Sequence, residues 1–403
     1  MVADVQYARV STSIPTVNVA NRSALCQSTN FRSNMKCWLL LAAVFASACL
    51  LQVNSYRIVC YFANWAIYRS GNGKFQVGDI NADLCTHHIY AFAGLNSDGE
   101  VLIRDQYVDI QYGGFADFNA MKNDHPNIVT MIAIGGGDAG TEAFTAIVND
   151  AGKLNTFVDN IVNFISTYGF HGADIDWEFP TTNEKAGYVE LLRLLRTKFD
   201  QNGYVLSAAV PGDYGSVANA YDISSVSQYV DFLNVMTYDM HGAWESATGE
   251  NSPLYAGPAD TTEYSKYQNV DYMMKFYINS GAAAEKLNLG VGAYGRTFTL
   301  ADSSNNGVGA PISGAGDLGP YTGGEGSWNY NEICMMIGRG DLTEHWNDDQ
   351  YSAYATGGDQ WVGYDNVRAI GYKMQYIKDN GIGGAMVWTI DMDDFNNICG
   401  KEG

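Results

Sequence analysis

Residues Phe170–Pro180 read FHGADIDWEFP. An extended chain repeats every two residues, so a strand here turns Asp174, Asp176 and Glu178 to one face. The preceding run carries Ile161, Val162, Phe164 and Ile165, and Trp177 lies among the acids, which marks an element buried apart from its carboxylates. Three like charges side by side in a buried setting are costly, and at least one is expected to keep its proton near neutral pH. That arrangement suits acid catalysis better than stability. A solvated edge strand would not have such apolar flanks.

Outward from this stretch, short β-rich runs alternate with longer helical patterns. The strands are expected at 57–63, 86–93, 128–134, 171–177, 204–210, 231–238, 289–294 and 383–389, with helices at 151–168, 184–201, 265–280 and 366–380. Eight apolar strands separated by helices predict the α/β class and a parallel sheet closed into a (β/α)8 TIM barrel. An open doubly wound sheet is the runner-up, but no GxGxxG follows a strand. One interval breaks the rhythm. Between Tyr294 and Arg368 the chain is rich in glycine and aromatics without a strong helical period, and 295–368 is expected to form a small α+β insertion before the last strand.

The chain has 403 residues and 46% hydrophobic content, enough for a large single core. Met35-Lys36 opens a run, CWLLLAAVFASACLL, with the charged start, apolar middle and small-residue end of a signal peptide. Residues 35–55 are therefore expected to be cleaved, and 1–34 to be a disordered upstream extension, leaving 56–403 as the mature barrel. That mature chain holds 19 basic and 43 acidic residues, a net charge of −24. Nucleic acid and anionic membranes are poor partners for such a surface, whereas neutral polymers remain open. Four cysteines stay in the mature chain, Cys60, Cys85, Cys334 and Cys399. An even number in a secreted chain favours disulfides, and the three possible connectivities are not separable at this level. Their spacing does not suit a zinc site. No N-x-S/T sequon follows Asn21.

In a (β/α)8 barrel the chemistry sits at the C-terminal ends of the strands. Glu178 ends one expected strand, Asp239 another with Tyr238 beside it, Arg296 follows GVGAYGR, and Trp388 closes the last. At this point the chain closely resembles the family 18 glycoside hydrolases, the chitinases and chitinase-like lectins. The segments that carry the resemblance are CYFANWAIYR, ADIDWEFP, MTYDMHGAWE, YGRTFTL, QWVGYD and GGAMVWTIDMDDF, spread from about Tyr56 to Gly400. The resemblance implies the same barrel with its insertion, and disulfides Cys60–Cys85 and Cys334–Cys399.

It also implies roles. Glu178 matches the proton donor, Asp176 the aspartate that orients the substrate acetamido group, and Asp174 the inner aspartate sharing a proton with Asp176. Tyr238 would donate to the acetyl oxygen over a floor formed by Trp388, with Met236 and Met386 nearby. Asp239, Tyr294 and Arg296 look like substrate-binding residues, as do Tyr61, Gly136 and Gly137, with Trp65 and Trp244 as outer stacking platforms. Three departures stand out. His171 occupies the first acid of DxxDxDxE, Ala133 replaces the serine of SxGG, and Gly137 replaces the aromatic that commonly follows. Loss of the serine is expected to remove one hydrogen bond from Asp174, and Gly137 to weaken a leaving-side subsite without touching the acid.

The expected function is thus a secreted, monomeric chitinase with reduced activity, acting on chitin or chitooligosaccharides by a substrate-assisted, retaining route. The alternatives are a chitin-binding lectin or growth-factor-like relative without turnover, and a structural matrix protein. Such lectins usually lack the glutamate, which is present here. No metal or organic cofactor is implied, and His87 and His88 are expected to be packed or hydrogen-bonded.

Overall fold

The structure, a computed structural model, describes residues 56–400. The proposed extension, the signal segment and Cys26, Cys37 and Cys49 lie outside them. Eight parallel strands close into a barrel: β1 (Arg57–Ala63), β2 (His87–Leu95), β4 (Val129–Gly135), β5 (Gly172–Asp176), β6 (Val205–Pro211), β7 (Phe232–Met236), β8 (Leu287–Gly292) and β15 (Gly384–Trp388). The β1–β2 and β1–β15 ladders complete the circle, and a short β3 (Val101–Ile103) runs antiparallel to β2.

Helices of alternating buried and exposed faces cover the barrel. In the helix Ala151–Tyr168, Leu154, Phe157, Val158, Ile161, Phe164 and Ile165 are buried, the three-and-four spacing of one helix face. Asp150 caps its start by accepting from Gly152 N–H and Lys153 N–H, and Gly169 ends it with φ 77°. The helix Lys185–Asn202 repeats the design with Tyr188, Leu191, Leu192, Leu195 and Phe199 buried. Each fully buried Leu or Phe of this kind contributes about 1.5–3 kcal/mol relative to exposure. Those two helices match their expected spans within a residue. The helices Gly114–Asp124 and Glu142–Val148 were not anticipated, because their apolar periods are short.

A second, six-stranded antiparallel sheet forms between β8 and β15. It runs β10-β9-β14-β13-β12 with β11 on β9, where β9 is Tyr294–Leu300, β10 Ile312–Ala315, β11 Ser327–Asn329, β12 Thr343–Asn347, β13 Ser352–Gly357 and β14 Gln360–Tyr364. The helix Tyr330–Arg339 packs with it, and the helix Val367–Asp379 returns the chain to β15.

Three expectations need correction. β5 stops at Asp176, so Glu178 lies beyond the strand and not on its regular face. Tyr294, expected to close a barrel strand, belongs instead to β9, the first strand of the inserted sheet, which also carries Arg296. Asp239 stands three residues past β7 with φ 60°, in a turn that replaces the last part of the expected strand. In each case the chain leaves the ladder at the barrel mouth, where side chains must point across the opening.

Candidate active site

The mouth of the barrel holds a cleft of about 510 Å³. Of the residues singled out in the sequence, Asp176, Glu178, Tyr61, Trp65, Gly137, Met236, Tyr238, Asp239, Met386 and Trp388 line it. Asn64, Phe92, Arg104, Asp105, Asp138 and Ala209 join them unannounced. The segment after β5 is anchored from below. Trp177 is buried, stacks on Phe144 at 4.9 Å between ring centroids, and donates from Nε1 to Thr141 Oγ1 at 2.7 Å. Gly135, paired with Asp176 in the β4–β5 ladder, has φ 114°, and a Cβ there would meet the Asp176 carbonyl oxygen at 2.1 Å. Only glycine lets the two strand ends approach so closely.

The three acids occupy three different environments. Asp174 is fully buried and accepts from Tyr61 OH at 2.7 Å, from Ser207 Oγ, and from Asn234 Nδ2 at 3.3 Å. Asn234 is itself oriented by Asn288 Nδ2, which donates to its Oδ1 at 2.9 Å, and Arg57 Nε donates to Asn288 Oδ1 at 3.1 Å. Burial pushes the Asp174 carboxyl up to about 6, and the three hydrogen bonds pull against that rise. Asp176 is equally buried, and its Oδ1 has no hydrogen-bond partner among the described residues. Burial and the neighbouring Glu178 and Asp174 charges hold it well above the usual carboxylate range. Glu178 is pushed up to about 7, first by burial and then by the negative charges of Asp239 and Asp138, against a hydrogen bond from Gly137 N–H.

Aromatic side chains build the rest. Trp388 lies 5.4 Å from Tyr61, 5.7 Å from Phe92 and 6.4 Å from Trp65 between ring centroids. Tyr238 is buried, with its hydroxyl directed at Met386 Sδ at 3.8 Å. On the insertion side, Asp239 Oδ1 accepts from Arg296 Nε at 2.7 Å and Tyr294 OH at 2.5 Å, and the guanidinium sits 5.2 Å from the Trp244 ring. Trp244 is 62% exposed and marks the rim, with Arg296 half-buried beside it and Tyr294 buried. Gly136 backs the site instead of lining it. With φ 85° it leaves room for the Phe92 ring, which a Cβ would meet at 2.6 Å.

The departures resolve differently from expectation. Ala133 pairs with Asp174 on the β4 side, but Ser207 pairs with Asp174 on the β6 side and supplies a hydroxyl. Asp174 therefore keeps three donors. The signal was available in VLSAAVP, a serine at matching depth on the next strand, but only the ladder register shows that the two residues are neighbours. His171 precedes β5, at the end far from the cleft, where its Nδ1 accepts from Thr130 N–H at 3.2 Å. Gly137 does touch the acid, contrary to expectation: its N–H bonds Glu178, and a Cβ would lie 3.6 Å from Glu178 Oε2.

Disulfides join Cys60 to Cys85 and Cys334 to Cys399. Asp394 near the second accepts from the backbone N–H groups of Ile398 and Cys399, so this grouping offers no free thiolate to a metal. His88 is buried with Nε2 on the Ala82 carbonyl at 3.1 Å, and His87 bonds Thr86 Oγ1 at 2.8 Å, both as packed residues. Among the described residues no helix is long and apolar enough to cross a membrane.

Comparisons with known proteins point one way. The profile described as Glycosyl hydrolases family 18 matches residues 57–393. An endochitinase of Manduca sexta is 37% identical over 385 residues, covering 91% of this chain and 69% of that protein. The group IV chitinase of Ostrinia furnacalis, solved with allosamidin, superposes with a TM-score of 0.84 at 37% identity over 86% of this chain and 95% of that one. Human YKL-39, described as a pseudo-chitinase with retained chitooligosaccharide binding, does so with a TM-score of 0.81 at 34% identity over 86% and 95%.

Proposed function

The chain belongs to glycosyl hydrolase family 18, the family of chitinases and chitinase-like proteins, and from that footing we propose that it is a secreted chitinase cleaving β-1,4 links between N-acetylglucosamine units. The observation that carries the reading is Glu178, a carboxyl facing the cleft with its proton held to about 7. An acid that keeps its proton near the working pH is suited to protonate a leaving oxygen.

In this family type the substrate supplies the nucleophile. Glu178 protonates the glycosidic oxygen while the acetamido carbonyl oxygen attacks C1, so the glycosidic bond breaks as the oxazolinium ring closes. Asp176 accepts from the acetamido N–H with the oxygen that has no partner among the described residues. Tyr238, whose phenol burial keeps protonated, turns from Met386 to donate to the acetyl oxygen. Trp388 underlies the sugar. Asp174, held by Tyr61, Ser207 and Asn234, shares a proton with Asp176 and buffers its charge. The Glu178 carboxylate then deprotonates the water that reopens the ring, with retention at C1.

Secretion is supported by the signal-like run after Met35 and by two disulfides, which persist in oxidising compartments. Release of product from soluble chitooligosaccharides by the natural protein, lost in Glu178→Gln, tests the activity. Equally negligible release by both proteins, with chitooligosaccharide binding retained, would establish a lectin instead.

A further inference from the structure

A second buried network reaches the cleft through the wall between the barrel and the inserted sheet. Lys373, on the helix Val367–Asp379, is fully buried, and its Nζ donates to Asp365 Oδ2 at 2.6 Å and to Ser252 Oγ at 2.5 Å. Ser252 spends its own proton on the Thr237 carbonyl oxygen, also at 2.5 Å. That carbonyl belongs to the peptide joining Thr237 to Tyr238. The next residue is held as well: Asp239 N–H donates to Asn251 Oδ1 at 3.0 Å, and Asn251 Nδ2 donates to the Tyr294 carbonyl at 3.1 Å. Thr237 Oγ1 ties the same turn to Gly290 O at 2.8 Å. Tyr238 thus stands between two backbone points clamped by adjacent residues, Asn251 and Ser252.

The donors all run one way, from ammonium to hydroxyl to carbonyl, so each bond polarises the next. A third acid nearby, Glu250, is buried with Asn347 Nδ2 on its Oε1, and burial lifts it to about 8; burial also raises the Asp365 carboxyl and lowers the Lys373 ammonium, and the contact between those two works against both shifts. A buried ion pair is weak evidence for stability, since a well-packed apolar pair of similar volume is often as stable. What this pair does offer is direction. It aims one serine at the carbonyl behind Tyr238.

We propose that Asp365, Lys373 and Ser252 form a positioning relay that sets the Tyr238 hydroxyl over the sugar, an inference that rests on Tyr238 donating to the acetyl oxygen. The test is a double-mutant cycle on the full chain with Ser252→Ala, Tyr238→Phe and their combination, assayed on a soluble chromogenic chitooligosaccharide. Ser252→Ala should lower kcat about 10-fold with KM held within about 2-fold, the mark of an interaction felt only in the transition state. The double variant should be no slower than Tyr238→Phe alone. Losses that multiply would overturn the relay, because independent sites add in free energy. Lys373→Met combined with Asp365→Leu removes both charges together and should reproduce the Ser252→Ala loss. Unchanged kcat in both, with melting temperatures confirming folded proteins, would also overturn it. If the natural protein shows no turnover, the chitinase reading falls by itself. The cycle is then read by calorimetric binding of chitotetraose, where a Ser252→Ala effect that persists without the Tyr238 hydroxyl would reject the relay.

Discussion

Two carboxylate sites face the same cleft and are built on opposite electrostatic plans. At the end of β5, Asp174 and Asp176 are buried and Glu178 half-buried, with no cation in contact among the described residues, and all three are raised above ordinary values. At the rim, Asp239 is half-exposed and has Arg296 and Tyr294 on one oxygen. The first site stores protons, and the second holds shape through an ion pair. The lesson is that a proton donor is made by withholding a counter-ion, with neutral hydroxyls and amides placed to decide which acid of the group gives way first. The two sites are still linked, because the Asp239 charge, even with Arg296 on it, is one of the two that raise Glu178.

The strongest way to break the comparison is to strip a donor from Asp174. Ser207→Ala removes one hydrogen bond to an ionisable carboxyl, worth about 1.5–3 kcal/mol, and should lower kcat about 10- to 100-fold if fully felt at the transition state. Steady-state assays with soluble chitooligosaccharides measure it; a change under twofold would mean Ser207 is only packing.

Next comes stability against pH. The folded values of about 6 for Asp174 and about 7 for Glu178 exceed their unfolded values, so the folded protein binds more protons between about pH 4 and 7. The stabilising contribution of these groups is therefore complete below pH 4 and is lost as pH rises through 6 and 7. Denaturant midpoints of the natural protein and of Glu178→Gln, compared from pH 5 to 8, should converge on the acidic side and separate above pH 7, with the variant the more stable there.

A smaller effect sharpens the contrast. Asp138→Asn removes one of the charges that raise Glu178, so the alkaline limb of the kcat/KM profile should move to lower pH while the rate well below it stays within about twofold. An unmoved limb would mean that Asp138 is screened by solvent. Smallest of all, Trp244→Ala at the exposed rim should raise KM for long oligomers a few-fold and leave kcat alone, as expected of an exposed stacking contact worth about 1 kcal/mol. A kcat loss there would place the rim within the chemistry.

Much of this site was legible in the chain itself. Period-two acids on an otherwise apolar element announced a buried acid group, and the alternation of apolar strands with helical runs announced the closed barrel. Those are local patterns, set by side-chain spacing and burial. The missing serine at Ala133 was equally visible, but its consequence was not. Whether Asp174 has lost a donor depends on which residue stands beside it on the other neighbouring strand, and the parallel register puts Ser207 there. Gly137 looked remote from the acid along the chain, yet the turn after β4 folds its N–H onto Glu178. Asp138, Arg104 and Phe92 gave no warning, since a single charge or ring carries no period.

By itself, then, the sequence determined the barrel, the identity of the acids and their order along one short segment, because hydrophobic periodicity and like-charge clustering act over a few residues. Tertiary structure decided which of those acids keeps a proton. That choice is made by groups brought from β1, β6 and β7 and from the turn after β4, whose contacts exist only once the sheet has closed.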